Sequence, residues 1–275
     1  MPELPEVEVS RQGLLPYLPG QRIVSAIFRV PKLRDELPVS LALRLTGLRV
    51  EMILRRGKYL LFDCESARGG GWLILHLGMS GRVRLVAPGT SVEKHDHVDL
   101  VFPRTILRYH DARRFGALLW HEGSDIALHP RIAVLGVEPL TPEFNAAWLH
   151  AQLRLRRGPI KPLLMDSHLL VGVGNIYAAE SLFLAGISPL RAACQISLRR
   201  CRVLVLAIQQ TLNNAIAAGG SSIRDYANSD GEMGFFQISC AVYGRQDQPC
   251  LTCGSPIRLI RQAGRSTFYC EHCQS

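Results

Sequence analysis

The sequence lacks a long hydrophobic run and an apolar N-terminal leader. No stretch approaches the about 20 apolar residues that a membrane helix needs, and the run VLVLAI at 203–208 is much too short. The N-terminus instead carries Glu3, Glu6 and Glu8, which is the opposite of a secretory signal. These absences argue against membrane and secreted proteins, so we expect a soluble protein of the cytoplasm.

Acidic residues are also fewer than basic residues. The chain holds 32 Lys and Arg against 23 Asp and Glu, and the net charge of +9 is spread over both halves of the chain. This distribution suits a polyanion that lies across the whole molecule, because neutralised phosphates release their counterions. A basic protein without a nucleic-acid partner is the alternative that charge alone leaves open.

No solenoid-length repeat and no excess of Gly or Pro is present, so the 275 residues describe a globular chain larger than one core. Pro and Glu residues predict a helix within 3–17. β-Branched and aromatic runs separated by turn residues then predict an antiparallel sandwich or barrel of short strands. Runs of helical length and spacing follow the linker, with Thr141 and Glu143 at an expected helix start and Gly219–Gly220 past an expected helix end. We predict an α+β multidomain protein with an N-terminal helix and β-sandwich (2–130), a linker (131–140), a helical domain (141–235) and a zinc finger (240–275).

Half of the eight cysteines are scattered, and the other half form a C-x₂-C-x₁₆-C-x₂-C pattern at Cys250, Cys253, Cys270 and Cys273. This spacing predicts one structural zinc ion, and four thiolates leave no open position for a catalytic water. Two strand-like runs between the cysteine pairs predict a β-hairpin with Arg265 near its tip. The guanidinium there can bind phosphate oxygens, although a solvated arginine on a turn is the simpler alternative.

Glycine-rich and basic segments suggest phosphate contacts. The segment VGVGN between two helical patterns ends at Asn175, which can donate to a phosphate or cap the helix that follows. Arg156 and Lys161 lie shortly before it. His95 belongs to KHDHVD, which lacks a third metal anchor, and a phosphate contact is the more economical interpretation.

Two glycine-punctuated motifs, HLGMSG and DARRFG, carry residue types that proteins insert between bases. These residues are Met79, Arg113 and Phe115, although Met and Phe are more often core residues. Lys58 follows Gly57 at an expected hairpin turn, where a surface lysine needs no special role.

The opening residues MPELPE place Pro2 behind the initiator methionine. Once Met1 is removed, Pro2 has a free secondary amine. An α-amino group has a pKa of about 8, so part of it is unprotonated at neutral pH. Such an amine can attack a sugar carbon and form an iminium, with Glu3 as the neighbouring proton donor or acceptor. The alternative is that these residues only begin a helix.

The motifs MPELPEVE, RRGKYL, HLGMSG, DARRFG, IKPLLMD, GVGNIYAAE, VYGR and GRSTFYC occur in this order along the chain. In them the sequence resembles the bacterial formamidopyrimidine-DNA glycosylases, the Fpg/MutM family. The resemblance implies a helix–two-turn–helix and a bifunctional glycosylase and abasic-site lyase. It implies a monomer that acts on double-stranded DNA containing oxidised purines or abasic sites, at the bacterial nucleoid, with one zinc ion and no other cofactor.

The resemblance also implies residue roles. Pro2 would attack C1′, Glu3 would protonate the deoxyribose ring oxygen, and Lys58 and Arg265 would serve β- and δ-elimination. DNA contacts would come from Met79, His95, Arg113, Phe115, Arg156, Lys161 and Asn175. Lesion recognition would depend partly on residues 221–237. The rivals are an endonuclease VIII-like enzyme for oxidised pyrimidines, against which Leu4 argues, and a non-catalytic DNA-binding protein.

Overall fold

The computed structural model describes residues 1–67, 69–220 and 240–275. The chain divides into two compact units. The first contains Met1–Ala133 together with residues 218–220, and the second contains Val134–Ala217 and residues 240–275. The boundary falls within the predicted linker 131–140, whose first three residues belong to a short helix, α3 (Pro130–Ala133). Residues 221–237, expected to contribute to lesion recognition, and the end of the predicted helical domain lie outside the described residues.

The first unit is built from two four-stranded antiparallel sheets. One has the order β1-β6-β7-β5 and the other the order β2-β3-β4-β8. The strands are β1 (Ser25–Phe28), β2 (Arg49–Arg56), β3 (Tyr59–Ser66), β4 (Gly69–His76), β5 (Arg82–Val86), β6 (Asp96–Val101), β7 (Ile106–His110) and β8 (Ala117–Glu122). Both sheets contribute apolar side chains to one core, so the predicted β-sandwich is confirmed.

Two helices accompany the sandwich. α1 (Leu4–Leu14) sends Val7 and Leu14 into the sandwich core, and it lies within the helix predicted for 3–17. α2 (Val39–Leu45) was not expected from the sequence. It buries only Leu41 and Leu45, so it lacks the wide apolar face from which an amphipathic helix is predicted.

The second unit contains four helices, α4 (Ala146–Leu153), α5 (Ile160–Leu164), α6 (Asn175–Leu184) and α7 (Leu198–Ala217). α7 packs against α4 and α6 through residues spaced three or four apart, and Gly219 and Gly220 follow its end in the left-handed region. The sequence suggested that the first of these helices starts at Thr141 or Glu143. It begins later, because the Asn145 side chain accepts the N–H of Trp148 and forms the cap.

The chain ends in the predicted hairpin, β9 (Arg258–Gln262) paired with β10 (Arg265–Tyr269). Ile257 and Cys270 of this finger share a small core with Ala179 of α6. In the described part of the chain, no helix has both the length and the hydrophobicity to cross a membrane.

Candidate functional site

The N-terminal residues are buried and held by reciprocal hydrogen bonds. Glu3 is the N-cap of α1, and its side chain accepts the backbone N–H of Glu6. The Glu6 carboxylate in turn accepts the backbone N–H of Glu3 at 2.7 Å. Glu3 and Glu6 are only 2% and 1% exposed, and Pro2 before them is also buried. This capping box fixes the backbone that carries Pro2, so a reactive amine at that position would be held in place.

A partly buried ion pair connects α1 to the second sheet. Glu8 accepts Arg55 Nε at 3.0 Å and Arg11 Nη2 at 2.7 Å. Burial raises the pKa of Glu8, but hydrogen bonds and charge from Arg11, with Arg55 and Gln12, outweigh it and leave the pKa below its ordinary value. The carboxylate therefore stays charged. Because Arg55 also donates to the carbonyl of Gly57 at 3.1 Å, the ion pair anchors the turn that carries Lys58.

Lys58 lies in the two-residue turn between β2 and β3, as predicted, and is half-buried. Gly57 takes the first turn position with a φ of 55°, which a hairpin of this length requires and which glycine adopts without strain. On the next strand, His76 pairs with Tyr59, and their rings lie 4.8 Å apart. Burial, and then the charges of Lys58, Arg34 and Arg131, lower the pKa of His76 to about 4. A neutral imidazole therefore accompanies Lys58.

Two loops bring Met79, Arg113 and Phe115 to the surface, and we name these three residues the insertion patch. Met79 is 41% exposed and Phe115 46%, so neither side chain lies in the core. The Arg113 guanidinium lies 4.7 Å from the Phe115 ring centre. A Cβ on Gly78 would collide with the backbone of Phe115, so only glycine permits the loops to approach this closely. The structure therefore excludes the alternative that Met79 and Phe115 are core residues.

His95 protrudes from a loop stabilised by buried charges. Its φ is 76°, and its ring centre lies 5.9 Å from that of His110. The neighbouring Asp96 accepts two hydrogen bonds from Arg84, both at 3.0 Å, and one from the backbone of Glu93. Glu93, Asp96 and His110 are close enough together to be considered as metal ligands, but Arg84 already occupies the carboxylate of Asp96. The geometry thus favours a positioned His95 over a metal site.

In the second unit, Lys161 and Asn175 meet beside the finger hairpin. Lys161 Nζ donates to Asn175 Oδ1 at 2.5 Å, to Thr267 Oγ1 at 2.8 Å and to the Ser266 carbonyl at 3.2 Å. Asn175 Nδ2 donates to the same carbonyl at 2.9 Å. Lys161 is only 1% exposed. Its ammonium therefore connects the two helices to the start of β10, where Arg265 is the exposed first residue.

The other side chains near this region differ from the sequence-based expectation in detail. The N-cap of α6 is Gly174, so Asn175 does not cap the helix that it begins. Arg156 is half-buried in the segment between α4 and α5. Glu180, which the sequence did not single out, accepts three backbone N–H groups, from Ala241, Val242 and Tyr243, at 2.7–3.0 Å. It fixes the chain just before the finger.

The four C-terminal cysteines converge as their spacing predicted. Their sulfur atoms all lie within 4.8 Å of one another, with Cys250 and Cys273 at 3.9 Å and Cys253 and Cys270 at 3.5 Å. A tetrahedral zinc with bonds of about 2.3 Å places its sulfur ligands about 3.8 Å apart. Backbone N–H groups point at two of the sulfurs, as thiolates require. The donor set fits one structural zinc ion.

Comparison with known proteins extends this geometry to the whole chain. Family models for the formamidopyrimidine-DNA glycosylase N-terminal domain and H2TH domain match residues 1–118 and 135–227, and one for a zinc finger found in FPG and IleRS matches 247–275. The chain belongs to the formamidopyrimidine-DNA glycosylase family. It is 58% identical to a formamidopyrimidine-DNA glycosylase of Dechloromonas aromatica (strain RCB) over 100% of both chains.

Solved structures of this glycosylase family share the fold. A structure titled as MutM in complex with carbocyclic 8-oxo-G containing DNA has a TM-score of 0.90, 36% identity, and 99% coverage of both chains. Lactococcus lactis Fpg in complex with DNA containing an abasic site also has a TM-score of 0.90, with 37% identity and 99% coverage of both chains. Both the predicted family and the predicted fold class are confirmed, and the H2TH match covers the region that contains α5 and α6.

Proposed function

We propose that this protein is a base-excision-repair enzyme that removes oxidised purines, chiefly 8-oxoguanine and formamidopyrimidines, from double-stranded DNA and then nicks the strand. The observation that carries the proposal is the buried Pro2–Glu3 pair, fixed by the capping box with Glu6 in a chain of this family. Relatives bound to DNA with 8-oxoguanine or an abasic site support both the substrate class and the lyase step.

The chemistry starts at the Pro2 nitrogen after removal of Met1. Its lone pair forms a bond to C1′ as the glycosidic bond breaks, and the damaged base leaves with the bonding electrons and takes up a proton. Glu3 protonates the ring oxygen O4′, so the sugar opens and leaves an iminium between Pro2 and C1′. The iminium is an electron sink, which makes loss of a C2′ proton and expulsion of the 3′ phosphate feasible.

Lys58 and Arg265 are proposed for the two eliminations. Lys58 is held in a turn that the Glu8–Arg55 ion pair anchors, and it would serve proton transfer in β-elimination. Arg265 is exposed at the start of β10, where its guanidinium can bind the phosphate next to the lesion and assist its departure in δ-elimination. Water then hydrolyses the iminium and releases Pro2. No metal takes part, and zinc would shape the hairpin that presents Arg265.

DNA binding is assigned to residues of both units. The insertion patch would fill the space that the extruded nucleotide leaves, and His95 and Arg156 would contact phosphates. Lys161 and Asn175 were proposed as phosphate contacts as well. The burial of Lys161 supports a positioning role for its ammonium, with Asn175 as the more accessible of the two. Acting as a monomer on chromosomal DNA, the enzyme would work in the bacterial cytoplasm at the nucleoid.

The decisive experiment is borohydride trapping on a duplex with one 8-oxoguanine opposite cytosine, followed by peptide mass spectrometry. We expect a covalent adduct on the nitrogen of Pro2 in protein that has lost Met1. Pro5→Ala, a change of the second proline in the same motif, is the matched control and should still form the adduct. Binding of the duplex without any adduct would favour the non-catalytic alternative, and trapping only on an oxidised pyrimidine would favour the endonuclease VIII-like alternative.

A further inference from the structure

The insertion patch depends on the first residue of the motif DARRFG, to which neither the sequence nor the family assignment gave a role. We propose that Asp111 is a positioning residue, whose buried carboxylate holds the Met79 loop and the Arg113–Phe115 loop in the arrangement needed to replace an extruded nucleotide. The inference rests on the proposed function, because it concerns how the patch serves base excision.

The Asp111 carboxylate accepts hydrogen bonds from both loops. Its Oδ1 accepts Ser80 Oγ at 2.7 Å and the backbone N–H of Arg113 at 3.2 Å. Its Oδ2 accepts Tyr109 Oη and the backbone N–H of Gly116, each at 2.9 Å. Asp111 is 0% exposed. One carboxylate thus touches the residue after Met79, and it also binds the backbone on both sides of Phe115.

The two loops are also joined directly through Ser80. The Arg113 N–H lies 3.2 Å from Ser80 Oγ as well as from Asp111, so the serine hydroxyl lies between the loops. Tyr109 Oη lies 3.2 Å from the Leu77 carbonyl, which precedes the Met79 loop. Burial and the nearby carboxylate raise the pKa of Tyr109, so its hydroxyl remains a donor. Every group that donates a hydrogen bond to the Asp111 carboxylate therefore belongs to one of the two loops of the insertion patch or lies against one of them.

The arrangement requires a carboxylate. An asparagine at this position has one acceptor oxygen, and its NH₂ group would face either the Gly116 N–H or the Arg113 N–H. The hydroxyls of Ser80 and Tyr109 can turn to accept a hydrogen bond from the NH₂ group, but a backbone N–H can only donate. Arg113 has Ser80 Oγ as a second acceptor, so the asparagine oxygen would turn towards Gly116. The NH₂ group would then disrupt the contact between Ser80 and Arg113 that joins the loops.

The same residue also connects the patch with the His95 loop. The backbone N–H of Asp111 donates to the His95 carbonyl at 3.0 Å, and the Asp111 carbonyl lies 2.9 Å from His97 Nε2. A displacement of Asp111 would therefore move the His95 loop as well as the insertion patch.

Excision from a duplex requires the insertion patch, because the unpaired partner base and the base stack must be stabilised. Cleavage of an abasic site in a single strand has no partner base to stabilise, so it should not need the patch.

The test compares wild type, Asp111→Asn and Ser80→Ala, with Asp125→Asn as the control. Asp125 is exposed and makes the same type of bond to a backbone N–H, that of Ala127, in a surface turn. Single-turnover excision is measured on an 8-oxoguanine duplex, and strand nicking on a single-stranded oligonucleotide with a preformed abasic site. Fluorescence of a 2-aminopurine beside the lesion reports unstacking by the patch.

We expect Asp111→Asn to slow duplex excision by on the order of tenfold or more and to reduce the 2-aminopurine signal, because small misplacements have large effects on rate. Nicking of the single strand should stay within about twofold of wild type, since the residues proposed for its chemistry, Pro2, Glu3, Lys58 and Arg265, lie outside the insertion patch. Asp125→Asn should match wild type on both substrates, and Ser80→Ala should show a smaller loss confined to the duplex.

Two results would overturn the inference. One is unchanged duplex excision in Asp111→Asn, and the other is an equal loss on both substrates, which would indicate general damage to the fold. If circular dichroism shows that Asp111→Asn does not fold, Ser80→Ala decides, and wild-type behaviour of that variant on the duplex would contradict the role of the loop contact. Failure of wild type to excise 8-oxoguanine would refute the proposed function instead.

Discussion

The neutral state of His76 gives a prediction that can be followed from a single side chain to the stability of the fold. Its Nδ1 accepts the backbone N–H of Gly78 at 3.0 Å, so a proton on that nitrogen would break the bond. Burial is the largest cause of its lowered pKa, and the charge of Lys58 is the next. We therefore expect the ring to remain uncharged at every pH at which the protein works.

The magnitude follows from the linkage between protonation and folding. A pKa of about 4 in the folded state against about 6.5 in the unfolded state corresponds to about 3 kcal/mol, at about 1.4 kcal/mol per pH unit. Between these two values the unfolded chain binds the proton more readily. The stability contribution of neutral His76 is therefore fully present above pH 6.5, declines as the pH falls towards 4, and is lost below it.

The assay has two parts. NMR titration of the His76 imidazole measures its pKa directly, and urea unfolding at a series of pH values measures the free energy of unfolding. His76→Gln should remove most of the decline in stability between pH 6.5 and 4 that this residue causes. Lys58→Met should raise the pKa of His76 without restoring its ordinary value, because burial remains. A wild-type pKa near 6.5, or an unchanged stability profile in His76→Gln, would refute the reasoning.

Three further predictions concern the second unit. Chelation of zinc should unfold the finger, because the metal–sulfur bonds that hold the two cysteine pairs together are lost, and it should abolish DNA binding in a filter or anisotropy assay; retained affinity would contradict the role assigned to the finger. Glu180→Gln should destabilise this unit by about 2 kcal/mol in thermal unfolding, because the NH₂ group of the introduced glutamine must face a backbone N–H. Glu143→Gln, at an exposed position, is the control and should have no measurable effect. Ala263 has a φ of 47° in the hairpin turn, so Ala263→Gly should stabilise the finger by about 1 kcal/mol and Ala263→Val should destabilise it.

The elements of the fold were predictable where the local pattern alone determines them. Strand periodicity located the sandwich, and the spacing of apolar residues together with Gly219 and Gly220 located α7 and its end. The double C-x₂-C pattern predicted the cysteine cluster because both pairs are local and the metal geometry is fixed. In contrast, α4 is capped by Asn145 and not by Thr141 or Glu143, because three polar residues compete for the cap and only their contacts decide.

The sequence was less informative about how the site is supported. Pro2, Lys58 and Arg265 received roles from residue type and motif, whereas Asp111 and Glu180 received none, although they lie within the motifs DARRFG and GVGNIYAAE. Asp111 binds Ser80, 31 residues away, and Glu180 binds backbone groups about 60 residues away. Nothing in the composition around either residue indicates that its partners are backbone N–H groups of distant loops. Such contacts depend on tertiary structure, which local periodicity does not encode.

Lys161, Glu180 and Asp111 nevertheless share a physical property that explains their positions. Each is a charged side chain that binds backbone or side-chain groups next to an exposed segment. Without those hydrogen bonds, the removal of each charge from water would destabilise the fold. An exposed residue such as Arg265 or Phe115 cannot be fixed by packing, because one side of it faces solvent. A buried charge with several hydrogen bonds can fix the backbone beneath it, and a wrong geometry would leave that charge unsatisfied. The residues proposed to touch DNA can therefore stay exposed and still be held in one arrangement.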